Sequence, residues 1–262
     1  MCPKISVITV SYNSATHLEE CILSVINQSY DNKEYIIIDG GSTDGTLDII
    51  DKYKDKIDYF ISEPDNGISD AFNKGIKAAT GDLIGICNSD DVLADDILTK
   101  IASYYDSSID VYRLEEKIRN FETGEEFLLR PTIEFPKNMR GAQPCHMGCY
   151  ISKKAFEKYG MYDVNMRYSM DMELLRRYTY MGARQRYVPE VVGYFRKGGA
   201  SQTNWKRKIE ERSFIIKKYG GTNIDVLLSK IHINLHRGAK KIITLFGEDA
   251  ATKLKSKVKY DK

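Results

Sequence analysis

Two adjacent carboxylates, Asp90 and Asp91, close the stretch Leu-Ile-Gly-Ile-Cys-Asn-Ser-Asp-Asp at residues 83–91. Its apolar part has the pattern of a strand buried on both faces of a parallel sheet, so the two acids stand where that strand ends. Hard oxygen donors at such a place suit Mg2+ or Mn2+, because ligands of open α/β sheets collect beyond the carboxyl ends of the strands. A second reading is open at this point. Asp is a favoured N-cap, and either acid could cap a helix over residues 92–105.

The surrounding elements bear on the choice. Residues 5–10 are apolar and β-branched and run into Ser11, Tyr12 and Asn13, which reads as a first buried strand and its loop. A helix follows, with Ser14 or Thr16 as cap and Leu18, Cys21, Ile22, Val25 and Ile26 on one face. Residues 35–38 repeat the strand pattern, end at Asp39 and a Gly-rich turn over 40–45, and lead to a helix over 46–53. Residues 59–61 make a third strand, and a helix carrying Ile68, Ala71, Phe72, Gly75, Ile76 and Ala79 comes next. Residues 83–86 are then the fourth strand. Strands alternating with helices imply a mostly parallel sheet covered on both faces, whose polar loops meet along one edge. That edge gathers Tyr12, Asn13, Asp39, Asp65, Asp90 and Asp91.

Beyond Asp110 the rhythm changes. Residues 111–118 and 126–129 look like a hairpin, 146–151 a strand, and 153–159 and 170–181 helices. Pro189 interrupts residues 188–195 and predicts an edge strand or two short ones. The Gly198-Gly199 loop predicts a lid. From residue 224 onward, Ile224, Leu227, Leu228, Ile231, Leu235, Ile242 and Leu245 recur at helical spacing, with Lys230, Arg237, Lys240 and Lys241 largely on the other side.

The chain has 262 residues, 42% of them hydrophobic, enough for one sizeable core or one domain with an appendage. No apolar run approaches the roughly 20 residues that span a bilayer, and the start lacks signal-peptide features, so a cytoplasmic protein is expected. Five cysteines without metal-site spacing, save the loose pair Cys145 and Cys149, read as buried free thiols. Net charge is +2, unevenly spread: residues 206–262 hold 15 Lys and Arg against 6 Asp and Glu, so this tail carries +9 and residues 1–205 carry −7. A basic amphipathic tail either packs on its own domain or lies on an anionic membrane, with Lys253, Lys255, Lys257 and Lys259 adding attraction. No recognition-helix or aromatic-basic pattern suggests nucleic acid.

Four stretches in order, residues 8–13, 39–46, 63–75 and 88–91, resemble the inverting nucleotide-sugar glycosyltransferases of family 2, which have the GT-A fold: a Rossmann-like, mixed, mostly parallel sheet flanked by helices. Weaker echoes run to Ser201. The resemblance implies a donor-binding half over residues 1–105, an acceptor and catalytic-base half over 106–203, and a helical extension over 204–262. It implies that Ser11, Tyr12, Asn13 and Asp39 hold the nucleoside of a nucleoside-diphosphate sugar, a UDP-sugar first, that Asp90 faces the ribose, and that Asp91 binds Mn2+ or Mg2+. Lys74 is either a diphosphate contact or a solvated helix lysine. Asp171 is the implied base, against the reading that it only favours a helix's positive end. His146 is a structural histidine or an acceptor-side residue, and Arg196 is placed to reach the diphosphate. The expected reaction moves a hexosyl or N-acetylhexosaminyl group onto a glycan or lipid-linked saccharide at the inner membrane face, in bacterial surface polysaccharide synthesis. The competing readings are a sugar nucleotidyltransferase, which would present a Gly-rich basic loop where Ser11-Tyr12-Asn13-Ser14 stands, and a nucleotide-sugar-binding module without catalysis.

Overall fold

The computed structural model describes residues 2–121, 123–196 and 204–246. The strands are β1 (Ile5–Ser11), β2 (Lys33–Asp39), β3 (Tyr59–Ser62), β4 (Leu83–Ile86), β5 (Val92–Leu93), β6 (Val111–Arg119), β7 (Glu126–Leu129), β8 (Cys149–Ser152) and β9 (Gln185–Arg196). The helices are α1 (Leu18–Ile26), α2 (Thr46–Lys52), α3 (Ile68–Ala78), α4 (Ile97–Ser103), α5 (Lys153–Tyr159), α6 (Met170–Tyr180), α7 (Trp205–Lys218) and α8 (Asn223–Phe246). One sheet runs β3-β2-β1-β4-β8-β6-β9-β5, with β7 paired to β6. Its first four strands are parallel; β8 is antiparallel to both neighbours, and β9 is parallel to β6 but antiparallel to β5.

The central strands are buried on both faces, and period-two alternation divides their side chains between two cores. Ile8, Val10, Ile36, Ile38, Ile84 and Ile86 meet Phe72 and Ile76 of α3 on one side. Ile5, Val7, Tyr35, Ile37 and Leu83 meet α1 and α4 on the other. Helix α3 lies close to the sheet because Gly75 faces Ile8: a Cβ there would sit 2.5 Å from Ile8 Cγ2. Four cysteines are buried and Cys2 is exposed; all five are free thiols.

Several sequence expectations change. Residues 92–105 are not one helix. Val92 and Leu93 pair with Tyr194 and Gly193 of β9, and α4 starts only at Ile97, after Asp96 in the left-handed region. Asp90 and Asp91 therefore cap nothing. The cap of α1 is His17 without a side-chain bond; Ser14 serves instead through its carbonyl, which accepts from Leu18 N at 3.1 Å. Strand β9 is one continuous strand, paired with β6 along its length and with β5 only at Gly193 and Tyr194; Pro189 falls within a register shift, Leu114 pairing Val188 and Glu115 pairing Val191, so the missing N–H costs no ladder bond. Strand β8 starts at Cys149, later than expected, and His146 sits in the turn before it, its carbonyl accepting from Cys149 N. Helix α7 falls within the helical extension expected over 204–262, and it places Ile215 and Ile216 in the core. The lid residues 197–203 and the tail lysines 253–259 lie outside the described residues.

Candidate active site

Because β1, β2 and β4 are parallel, their carboxyl ends deliver Ser11, Asp39 and the 88–91 loop to one edge. Side-chain hydrogen bonds stitch these loops together. Asn13, in the left-handed region, donates its N–H to Ser42 Oγ at 2.8 Å and accepts from Thr43 N at 2.9 Å. Ser14 N donates to Thr46 Oγ1, and Ser14 Oγ meets Ser89 Oγ at 2.8 Å. Tyr12 is left 65% exposed at the rim, a ring face free for stacking. It flanks Gly40, where a Cβ would lie 2.7 Å from Asp65 Oδ2 and 3.3 Å from Tyr12 Cδ2.

Asp39 is fully buried and accepts five bonds: from the hydroxyls of Ser11, Ser42 and Ser62 and from the backbone N–H of Gly41 and Ser42. Burial raises its pKa, but the bonds from Ser42, Ser62 and Ser11 outweigh that and hold the carboxyl below its usual range. With its acceptor capacity taken up, a base N–H reaches Asp39 only by replacing one of the hydroxyls, each of which can turn. Lys74 Nζ is engaged by Glu63 at 2.7 Å and by the Pro64 carbonyl at 3.1 Å, bracing the 63–67 loop on α3.

Asp91 is fully buried. Its carboxylate accepts Arg196 N–H at 3.1 Å and Asn88 Nδ2 at 3.2 Å. The Arg196 guanidinium itself turns away, to the Asp90 carbonyl and to Glu20 at 2.7 Å, and stacks on Phe121. Among the described residues no ammonium or guanidinium bonds Asp91. Burial, then the charge of Asp90, push its pKa well above the usual carboxylate range, and Glu116 adds to the push. Asn88 Oδ1, beside it, is buried and has no partner among the described residues.

The second half contributes Asp171, His146 and Glu116. Asp171 opens α6, is partly exposed, and spends Oδ1 on Met172 N–H at 2.7 Å, leaving Oδ2 unbonded among the described residues. Two residues on, Glu173 faces the opposite way and is buried against Arg177, Lys218 and Tyr219. His146 lies between Phe72 and Tyr162, with ring centroids 5.1 and 6.0 Å away, and its Nε2 is buried without a partner among the described residues. Burial lowers its pKa against the pull of the Asp171 charge.

Sequence reasoning missed Glu116, Glu211 and Arg167. Glu116 on β6 accepts Gly148 N–H at 2.9 Å, is buried, and has its pKa raised to about 7 by burial, with the charge of Asp171 a smaller cause. It thus lies within electrostatic reach of both Asp91 and Asp171. A signal existed: consecutive Glu115 and Glu116 on one strand must face opposite sides of the sheet, so one acid points to each face. Glu211 of α7 accepts the N–H groups of Arg167, Tyr168 and Ser169 at 2.9 to 3.0 Å, fixing the turn before Asp171. Arg167 lies over Gly67, where a Cβ would be 2.7 Å from its Nη1, so this loop touches the donor-side motif.

Known proteins match this arrangement. A family model described as Glycosyl transferase family 2 matches residues 6–160. An uncharacterized glycosyltransferase of Haemophilus influenzae is 43% identical over 101 residues, 37% of this chain and only 40% of that protein's length. A PGL/p-HBAD biosynthesis glycosyltransferase of Mycobacterium bovis is 29% identical over 211 residues, 77% of this chain and 80% of that protein. The mannosyltransferase PcManGT of Pyrobaculum calidifontis, solved with GDP-Man and Mn2+, superposes with a TM-score of 0.65 at 18% identity, covering 98% of this chain and 79% of that one. TarS 1–349 of S. aureus, solved with UDP, gives 0.64 at 19% identity, covering 82% of this chain and 65% of that one. At these identities the two structures share the GT-A fold with this chain.

Proposed function

This chain belongs to glycosyl transferase family 2, and from that membership we propose that it is a metal-dependent, inverting enzyme carrying a hexosyl or N-acetylhexosaminyl group from a nucleoside-diphosphate donor, a UDP-sugar first, to a saccharide hydroxyl. Residues 1–105 hold the donor, 106–203 the acceptor and base, and 204–262 extend the domain. The observation that carries this reading is Asp91: a buried carboxylate beside two more acids, with no cationic partner among the described residues and with the unpartnered Asn88 Oδ1 next to it. A buried charge left so is costly, and hard oxygen donors suit a small divalent cation. Asp91, with Asn88 Oδ1 beside it, would hold Mn2+ or Mg2+. When bound, that ion supplies positive charge against the leaving diphosphate.

The chain's own groups do the rest. Tyr12 stacks on the base, with Ser11, Asn13 and Asp39 shaping its pocket, and Asp90 receives the ribose hydroxyls. Asp171 Oδ2 takes the proton of the acceptor hydroxyl, whose oxygen attacks the anomeric carbon from the face opposite the departing diphosphate, so the configuration inverts. His146, packed between Phe72 and Tyr162, lies on the acceptor side. Arg196 orders the 90–91 loop, and Lys74 braces the donor-side loop rather than meeting phosphate. The relative's part in PGL/p-HBAD biosynthesis supports a biosynthetic transfer, with the acceptor a glycan or lipid-linked saccharide.

Release of nucleoside diphosphate from a panel of nucleotide sugars tests the assignment. Asp171→Asn should abolish transfer, by about a thousandfold or more, with donor binding kept, whereas Asp91→Ala should lose donor affinity together with its dependence on Mn2+. Full turnover in either variant removes that residue from its role, and binding without transfer or donor hydrolysis by the unaltered protein makes it a binding module.

A further inference from the structure

Helix α8 turns the wrong face to the protein. Its buried positions among residues 223–235 are Val226, Ser229 and Ile233, a narrow and partly polar stripe. Five aliphatics of the same stretch point outward: Ile224, Leu227, Leu228, Ile231 and Leu235 are between 38% and 69% exposed. At about 100° per residue these five fall within an arc of about 100°, centred opposite the packed stripe. Single exposed apolar side chains are ordinary, but five in one continuous stripe mark a surface that something covers.

Charge selects the occupant. The segment 206–262 carries +9 against −7 for the rest of the chain, and exposed Lys217 and Lys230 lie on α7 and α8 themselves. A second copy pairing α8 to α8 would bring two such segments together and meet like-charge repulsion. A nucleic acid would engage the lysines and leave the aliphatic stripe in water. An anionic bilayer takes both, with the stripe in the acyl boundary and the lysines among the headgroups. The helix is 24 residues long, which suits an interfacial helix, and no helix among the described residues is apolar enough to span.

We propose that α8 is a membrane-docking helix, lying in the interface of an anionic bilayer with Ile224, Leu227, Leu228, Ile231 and Leu235 inserted. This stands on α8 and the charge distribution alone and does not depend on the identity of donor, metal or base.

Co-sedimentation of the full chain with phosphatidylcholine vesicles, with and without phosphatidylglycerol, tests it. The unaltered protein binds the phosphatidylglycerol vesicles, and more weakly at high salt. The combined variant Leu227→Gln, Ile231→Gln and Leu235→Gln, all surface positions, lowers that partitioning by about a hundredfold, with melting temperature and donor binding unchanged. Failure of the unaltered protein to bind vesicles, or equal binding by the variant, overturns the proposal. So does a concentration-dependent dimer that the same variant dissociates, which would assign the stripe to a second copy.

Discussion

Glu116 illustrates how much a single buried carboxyl can report. Its folded pKa of about 7 lies above the ordinary 4.5 because burial disfavours its charged form. Between those values the folded chain keeps a proton that the unfolded chain has lost. The group therefore contributes stability that is fully present below the unfolded value and lost as pH rises through about 7. In metal-free protein, Glu116→Gln should flatten the fall in melting temperature from about pH 5 to about pH 8 and leave the variant more stable at the upper end, by up to about 3 kcal/mol. An unchanged slope would show that Glu116 is ionised throughout. Asp91 is shifted in the same direction. Neither shift was legible in the sequence: Asp91 was readable as an acid at a strand end, but its isolation from cations depends on where the Arg196 side chain goes, and that is to Glu20, 176 positions earlier.

At the scale of elements, α7 and α6 form the pair on which the acceptor side depends. Glu211 ties down three consecutive N–H groups ahead of Asp171, Arg176 bonds the carbonyls of Phe135 and Tyr219, and Glu173 meets Lys218 and Tyr219. Truncating Glu211 to Ala strands those donors in a buried place, so a stability loss of about 3 kcal/mol is expected. The turn that aims Asp171 would loosen as well, and kcat should fall on the order of tenfold or more while the donor KM holds. Unfolding in denaturant and steady-state kinetics on the same variant check both halves, and a stability loss with an unchanged kcat would reduce Glu211 to a structural residue. The segments that the sequence misassigned fail for a common reason. Residues 92–93 are a strand because they pair with Tyr194 and Gly193 about a hundred positions away, and residues 185–196 because they pair with β6, and local periodicity carries no record of such partners.

Over the whole molecule, the proposed site draws on β1, β2, β4, the turn before β8, β6, α6 and the end of β9, and both cores run the length of one sheet. Nucleoside diphosphate with Mn2+ at about 100 times its dissociation constant should therefore raise the stability of one cooperative unit by about 2.7 kcal/mol, a shift of roughly 5–10 °C in a single transition. Calorimetry that resolved two transitions, only one of them moving with ligand, would divide the donor half from the rest. The sequence by itself determined the parallel block and its order of loops, because buried central strands are apolar runs and because the residues closing them, Ser11, Asp39 and Asp91, sit at the ends of those runs. It also determined which residues resemble a donor and metal site. Only the tertiary structure decided which acids share an environment, that Lys74 and Glu173 are spent on bracing, that Glu116 is turned inward, and that the aliphatic stripe of α8 faces out. Those outcomes rest on long-range pairing and on burial, which exist only once the chain has closed on itself.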